Sequence, residues 1–349
     1  MAPHIERILT AANSAPSGEN CQPWRFVVSG DTVDVYLRPE RDKSAYNWGQ
    51  RGSLMACGAA LENLVLAAGQ EGYHANVEFK LTENPIHVAS VELSKGSQGD
   101  ILAGAIMERV TNRRPYSREP LSLPQRDAIL RAASAVVGPS VRLVGDREHV
   151  EILGRVGAMN EEVMLTNRAV HDFFFDHINW TKEDDDRETV GFFIDTLDLA
   201  PPARVVFRLL RNWKTAKILT TLGIHKLIGK ENGRSNASAS AIAIIGSEGT
   251  GPLDYVLAGR MLERIWLSAT AQGLSLQPLT GILFFNLLVA SGESSPFSIA
   301  QERVIRSGAE KIEHILKNGH RPLAMVRIGK AEGPPTARSS RFPLSVALS

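Results

Sequence analysis

Three guanidinium groups and a hydroxyl crowd into Arg109-Val110-Thr111-Asn112-Arg113-Arg114-Pro115, and no acid follows Glu108 until Glu119. A guanidinium offers paired N–H donors in a planar fork, so the segment is a candidate anion site with phosphate as its guest. The same residues also read as a solvated basic turn until another feature converges on them. A second candidate is the loop Ser14-Ala15-Pro16-Ser17-Gly18-Glu19-Asn20-Cys21-Gln22-Pro23. It presents free backbone N–H groups and short polar side chains to a polar ring or an anion. Its alternative reading is a connector whose Pro23-Trp24 plugs the core. His171, Asp176 and His177 lack the spacing of a zinc or iron site, so no metal is expected.

The elements that must position these candidates come in duplicate. Gly58–Tyr73 and Gly259–Leu274 overlay at one constant offset, with Gly58/Gly259, Leu61/Leu262, Glu62/Glu263, Leu66/Leu267, Ala68/Ala269 and Gly72/Gly273 identical. That is an internal repeat. Leu54, Leu61, Leu64, Val65 and Ala68 recur at a helical period, and Gly72 is a natural C-terminal cap. Small residues such as Ala56, Gly58, Ala59 and Ala60 admit another backbone closely, which predicts that the two copies pack together at the centre of two related halves. Ile8-Leu9-Thr10-Ala11-Ala12 likewise matches Ile129-Leu130-Arg131-Ala132-Ala133, and each precedes a strand-like run, 24–28 or 141–144. Other strands are expected at 32–37, 75–81, 87–93, 239–245 and 322–328. Helices are expected over 3–12, 101–110, 148–178 and 298–318. The halves join near Gly96–Asp100, giving a first half 1–100 and a second half 101–349.

The halves are unequal. The chain begins too close to Ile8 for a counterpart of the arginine segment, and the stretch from Leu130 to Leu143 is too short for a counterpart of the Ser14–Pro23 loop. Each half keeps a component the other lacks, which predicts one binding site across their interface. An insertion at about 180–235 separates the second half's first strand from its next. Its acidic patch Glu183–Asp186 has no coordinating geometry, and residues 203–230 carry Arg204, Arg208, Arg211, Lys214, Lys217, Lys226 and Lys230 with no acid. The insertion is expected to fold over the interface as a lid. A basic amphipathic helix also suits a membrane surface or a phosphorylated ligand, and equally forms a plain solvated face.

At 349 residues and a formal charge of +1 the chain is long enough for a sizeable core, and no global basic field argues for nucleic acid. Cys21 and Cys57 are the only cysteines, which excludes a disulfide framework and predicts two buried thiols. No signal peptide and no uninterrupted membrane-length apolar run is visible, so a cytoplasmic, soluble protein is expected.

Taken together, these motifs resemble the FMN-dependent nitroreductase family, and most of all its tandem members, in which one polypeptide contains both halves of the usual homodimer. Arg109-x-Thr111-x-Arg113 with Tyr116 and Pro120-Leu121 is similar to the family's opening Arg-x-Ser-x-Arg signature, with Thr in place of Ser. Pro16-Ser17-Gly18-Glu19-Asn20-Cys21-Gln22-Pro23-Trp24 meets its Pro-Ser-x-x-Asn-x-Gln-Pro-Trp loop. Gly273-Leu274 with Pro278-Leu279-Thr280-Gly281 meets the Gly-Leu … Pro-Ile-Glu-Gly segment, and Ser339-Ser340-Arg341-Phe342-Pro343 the terminal Lys-Ser-Arg-x-Pro. The resemblance implies an α+β, nitroreductase-like fold duplicated in one chain, two half-domains with antiparallel sheets flanked by helices.

It also implies that Arg109, Thr111, Arg113 and Arg341, with Arg338, hold an FMN phosphate. Pro16, Ser17, Gly18, Asn20 and Gln22 line the flavin from the other half, Pro278 and Leu279 also belong to the cofactor site, and Thr280 and Gly281 bring backbone N–H groups to the flavin's reactive edge. Thr280 and Ser339 depart from the Glu and Lys of many members. The implied activity is hydride transfer from NADH or NADPH to nitroaromatic, quinone-like or other conjugated small-molecule acceptors, with no side chain acting as nucleophile because the flavin carries the redox step. The alternative is an FMN-storing protein whose lid withholds the flavin. Further oligomerisation of the single-chain pseudo-dimer is left open.

Overall fold

The elements come in two runs of one strand order, in line with the repeats expected from the sequence. The computed structural model describes residues 1–96, 98–293, 295–344 and 346–348; of the join at 96–100, Ser97 lies outside the described residues. The first run of elements is α1 (Pro3–Asn13), β1 (Trp24–Ser29), β2 (Thr32–Leu37), α2 (Arg51–Gln70), β3 (Tyr73–Phe79) and β4 (His87–Lys95). The second opens with α3 (Leu123–Ser134) and β5 (Ser140–Val144). It then runs through α4 (Arg147–Thr166), α5 (Arg168–Asp176), β6 (Ile178–Asn179), α6 (Lys182–Glu188), β7 (Phe192–Phe193), α7 (Pro201–Leu210), α8 (Trp213–Thr221) and α9 (Ile224–Asn236). It resumes with β8 (Ala241–Ser247), α10 (Pro252–Ala271), β9 (Ser275–Pro278), α11 (Gly281–Ser291), α12 (Ile299–Leu316) and β10 (Arg321–Gly329), and β11 (Val346–Leu348) closes the chain.

Among the described residues β6 and β7 form a small parallel pair, and of the two larger sheets one has the order β11-β1-β2-β4-β3 and the other β5-β8-β10-β9. Apart from β11, these are the same order built from the same succession of strands, antiparallel throughout. The α+β reading is borne out. Strand β1 alternates buried Trp24, Phe26 and Val28 with outward residues, as a strand covered on one face should. Strand β8 is buried along its whole length because it separates two cores: Ala241, Ala243 and Ile245 join one, Ile242 and Ile244 the other. Ile8 and Ile129, and Ala12 and Ala133, are all fully buried, so the weaker repeat marks equivalent core positions in α1 and α3.

At the centre α2 crosses α10. A Cβ added at Gly58 would fall on the Val256 carbonyl oxygen, and one at Gly259 on that of Met55. The glycines paired by the repeat therefore let each backbone rest on the other, and close packing leaves no room for a methyl at either. Helix 45–70 is long and apolar enough to cross a bilayer by length and composition, with mean hydropathy 1.3, but 83% of that window is buried in the core. Cys21 and Cys57 are free and buried.

Two expected helices differ. Residues 101–110 form only a 3-10 turn over Ile101–Ala105, started by the Asp100 side chain accepting from the Leu102 N–H at 3.0 Å. Residues 148–178 are not one helix but α4 and α5. Asn167 breaks them with an extended backbone (φ −111°, ψ 118°); its Oδ1 accepts from the Val170 N–H and its Nδ2 donates to the Pro296 carbonyl. An amide that satisfies a new helix start offsets the broken turn.

Candidate functional site

Two adjoining hollows lie above the α2–α10 crossing, sharing Pro16, Ser17, Thr111, Arg113 and Phe192. The larger, 290 Å³, is mostly apolar: Met55, Ala56 and Ala59 of α2, Leu262 and Trp266 of α10 and Phe284 of α11 line it. Gly18, Gln277, Pro278, Thr280 and Gly281 complete its rim. The smaller, 220 Å³, is cationic and holds Arg109, Arg113, Arg338 and Arg341 with Ser14, Asn20 and Thr111. The arginine segment, the 14–23 loop, the turn before α11 and the tail after β10, remote in sequence, converge here.

The guanidinium groups are aimed by carbonyls. Arg109 and Arg341 both donate to the Ser14 carbonyl, at 2.8 and 3.3 Å, and Arg113 donates to that of Thr196 at 2.8 Å. Arg338 donates to the Met107 and Glu108 carbonyls. Arg109 lies 4.6 Å over the Trp266 ring, with its Nε 3.2 Å from the Glu263 carboxylate. Even so, Arg109 Nε and Arg341 Nη1 are buried without a hydrogen-bond partner. Burial pushes the Arg341 guanidinium down to about 9, with Arg109 adding repulsion. Burial likewise lowers Arg113, to about 10. Burial raises the Glu263 carboxyl to about 7 against the pull of Arg109. The hollow is short of negative charge, which is the electrostatic condition for a bound anion.

The loop is held in a costly shape. Glu19, Asn20 and Gln22 all have positive φ, between 48° and 54°, a combination that needs external support. Asn20 Nδ2 donates to the carbonyls of Thr189 and Ser340, and the Gln22 N–H donates to Ser17 Oγ. Gln22 sits behind the wall, its Oε1 accepting from the Phe342 N–H, and Leu279 is buried in the core; neither side chain lines a hollow, because each ties the wall to what lies behind it. Thr280 spends its hydroxyl on β10, donating to the Met325 carbonyl and accepting from the Met325 N–H, so α11 opens its N-terminal turn into the cleft. Thr280 and Gly281 line the larger hollow, which places the first turn of α11, the positive end of a helix dipole, at its rim.

Several contributors were not read from the sequence. Arg327, fully buried on β10, donates to the Arg113 and Arg114 carbonyls and to Gln277 Oε1 and so fixes the arginine segment. The acidic patch anchors the tail: Asp185 accepts from the Ser340 N–H, and Lys182 donates to Ser340 Oγ. Phe174 and Phe192 form a wall from the insertion, latched where Gly191 N–H donates to the Glu19 carbonyl at 2.6 Å. The insertion thus reaches the cleft with Phe174, Phe192 and Thr196, the first of them ahead of the expected lid, while α9 packs along α4.

Glu19 lines the larger hollow, and burial, with Asp42 nearby, holds its carboxyl well above the usual range. A raised carboxyl leaves the folded state neutral where the unfolded chain is already ionised. The associated stability is present below the ordinary carboxyl range and is lost as pH rises through the folded value. Glu19→Gln is expected to flatten that loss and to be the more stable chain at pH 8, with little difference at pH 4. Urea midpoints at the two pH values check this, and equal midpoints at pH 8 refute it.

No family model matches the chain. The "Uncharacterized protein MT1398" of Mycobacterium tuberculosis (strain CDC 1551 / Oshkosh) is 25% identical over 330 residues, covering 92% of this chain and 45% of its own. "Putative NAD(P)H nitroreductase acg" of M. tuberculosis (strain ATCC 25618 / H37Rv) is 30% identical over 176 residues, 49% of this chain and 53% of its own. "Putative NAD(P)H nitroreductase Rv3131" of the same strain is 30% identical over 181 residues, 51% of each chain. The chain spans about half the length of these relatives. A solved nitroreductase with bound FMN from Bacteroides fragilis NCTC 9343 overlaps 70% of this chain and 95% of its own at 13% identity and a TM-score of 0.34. The resemblance to nitroreductases is thus borne out by relatives that carry that name.

Proposed function

We propose that the chain is an NAD(P)H-dependent FMN oxidoreductase with one flavin site between its two halves, acting on nitroaromatic, quinone-like or other conjugated acceptors. The observation that carries this reading is the pairing of a hollow lined by four arginines, with the buried Arg341 Nη1 lacking a hydrogen-bond partner, and an adjoining, mostly apolar cleft. A ligand with a phosphate at one end and an aromatic ring system at the other fits both. FMN, when bound, supplies the two-electron chemistry between nicotinamide and acceptor.

The protein's own part is orientation and charge. Arg109, Thr111, Arg113, Arg338 and Arg341 take the phosphate, which meets their charge surplus. Pro16, Ser17, Gly18 and Asn20 cover the ring system from the first half, over a floor of Ala56 and Ala59. Pro278, Thr280 and Gly281 bring the α11 N-terminus to its edge, where N–H groups and the helix dipole favour added negative charge. Trp266 and Phe284 exclude water beneath. The pseudo-equivalent of Glu263 supports a single site: Glu62 is held by Arg260 and Arg264 of α10, both at 2.7 Å, so these guanidinium groups are already paired.

The latch between Gly191 and Glu19, with Asn20 on Thr189 and Arg113 on Thr196, favours a second reading, a flavin-holding protein with little turnover. An anaerobic absorbance spectrum decides. A flavin band that bleaches with NADPH or NADH supports the oxidoreductase. A band that persists under excess of both yet bleaches with dithionite supports the holding role. Protein that gains no flavin on reconstitution overturns both.

A further inference from the structure

We propose that α7, α8 and the start of α9 form a docking surface for an anionic lipid bilayer. Among the described residues, fifteen large apolar side chains are exposed, and six of them fall here: Val205, Val206, Leu209, Ile218, Leu222 and Leu227. Ile218 and Leu222 are 63% and 75% exposed. Helical spacing sets Val205 with Leu209, and Ile218 with Leu222, on common stripes. Aliphatic side chains in this number on one insertion have no internal purpose, because nothing among the described residues covers them.

The charge on the same surface is one-sided. Residues 203–230 hold seven Lys and Arg and no acid, in a chain whose formal charge is only +1. Arg204 is paired with Asp195, and Arg211 stacks over Trp180 at 5.1 Å. Arg208, Lys214, Lys217 and Lys230 have no ion pair among the described residues. A partner must therefore accept aliphatic side chains and attract cations over one area. The headgroup region of an anionic bilayer does both. A nucleic acid would be met by exposed aromatic rings, but here Phe207 and Trp213 turn inward, 5.0 Å from Phe175 and His171 respectively.

These helices have 10, 9 and 13 residues, too short to span a bilayer, so they lie in its surface. The extended Asn212, whose side chain accepts from the Thr215 N–H, separates α7 from α8, and the left-handed Gly223 separates α8 from α9, which makes three short helices rather than one long rod. Phe207 also meets Phe174, which lines the cleft, at 6.2 Å, so the docked surface lies one aromatic layer from the cleft wall.

The test is co-sedimentation of the full chain with vesicles of phosphatidylcholine alone or mixed with phosphatidylglycerol, at low and high salt. Binding to the mixed vesicles is expected, weakened by salt and nearly absent with phosphatidylcholine alone. Leu209→Ser/Ile218→Ser/Leu222→Ser and, separately, Arg208→Glu/Lys214→Glu/Lys217→Glu should each weaken binding at least about tenfold. All six positions are exposed, so unchanged urea midpoints verify that both variants fold. Failure of the wild-type chain to sediment with the mixed vesicles at low salt overturns the proposal. So does undiminished binding by the serine variant, which would mark a purely electrostatic surface for an acidic protein or RNA. The readout needs no flavin and no turnover, so it stands apart from the redox reading.

Discussion

Gly58→Ala is expected to lose about 3 kcal/mol or more of stability, and Gly58→Leu to yield no folded chain. The added Cβ meets not a yielding side chain but the Val256 carbonyl of the facing helix, and the reciprocal contact at Gly259 meets that of Met55. Relief requires α2 and α10 to part, which opens the shared core around Leu61, Met261 and Ile265. Against a total stability of about 5–15 kcal/mol, such a loss is a large fraction. Gly104→Ala, where a Cβ would meet nothing within 4 Å, serves as the control and should cost about 1 kcal/mol or less. Urea unfolding of the three chains checks this. A Gly58→Ala midpoint close to that of the control would show that the crossing is looser than described.

The second large effect is a split between ligand and fold. Arg341→Ala is expected to weaken FMN binding about 30- to 1000-fold, from the loss of one or two charge-assisted hydrogen bonds to phosphate. Without ligand the same change should leave stability unchanged or improved. Its guanidinium is buried beside Arg109, and its depressed value means that the charged form is penalised throughout neutral pH. A base with a lowered folded value gains stability only as pH climbs above that value, here about 9, so removing it at pH 7 forfeits no titration-linked stability, only the 3.3 Å bond to the Ser14 carbonyl. Flavin fluorescence titration and thermal melts of the flavin-free chain separate the two. Reduced stability of the flavin-free variant, in step with weaker binding, would assign Arg341 a structural role instead.

Much of this site was legible because its parts are local. The loop 14–23 and the segment 109–115 announce themselves by composition, and the missing counterparts in the opposite halves are what led to the expectation of one composite site. The repeats were legible for another reason: Ile8 and Ile129, or Gly58 and Gly259, face identical packing demands, and burial restricts residue choice far more than solvent does. What escaped was set by distant partners. Arg327 stands in an apolar strand run, where periodicity has no way to show that its guanidinium turns onto the Arg113 and Arg114 carbonyls. Asp185 reads as one acid among several, and only the returning tail makes it the acceptor for Ser340. Asn167 ends a helix by its side chain, a local choice that the apolar stripe running through Val163 and Val170 conceals. Phe174 and Phe192 reach the cleft because of how the insertion folds, which composition does not report.

The tail that carries Arg338 and Arg341 leaves β10 in one sheet and ends at β11, paired in parallel with β1 in the other. Its position in the chain has a temporal meaning. During synthesis β1 to β10, the α2–α10 crossing and the two earlier arginines emerge before this strap and its β11 do. A nascent chain can therefore have its core assembled while one side of the cationic hollow is still missing. A ribosome stalled before residue 338 would display a chain that lacks two of the four arginines of the cationic hollow.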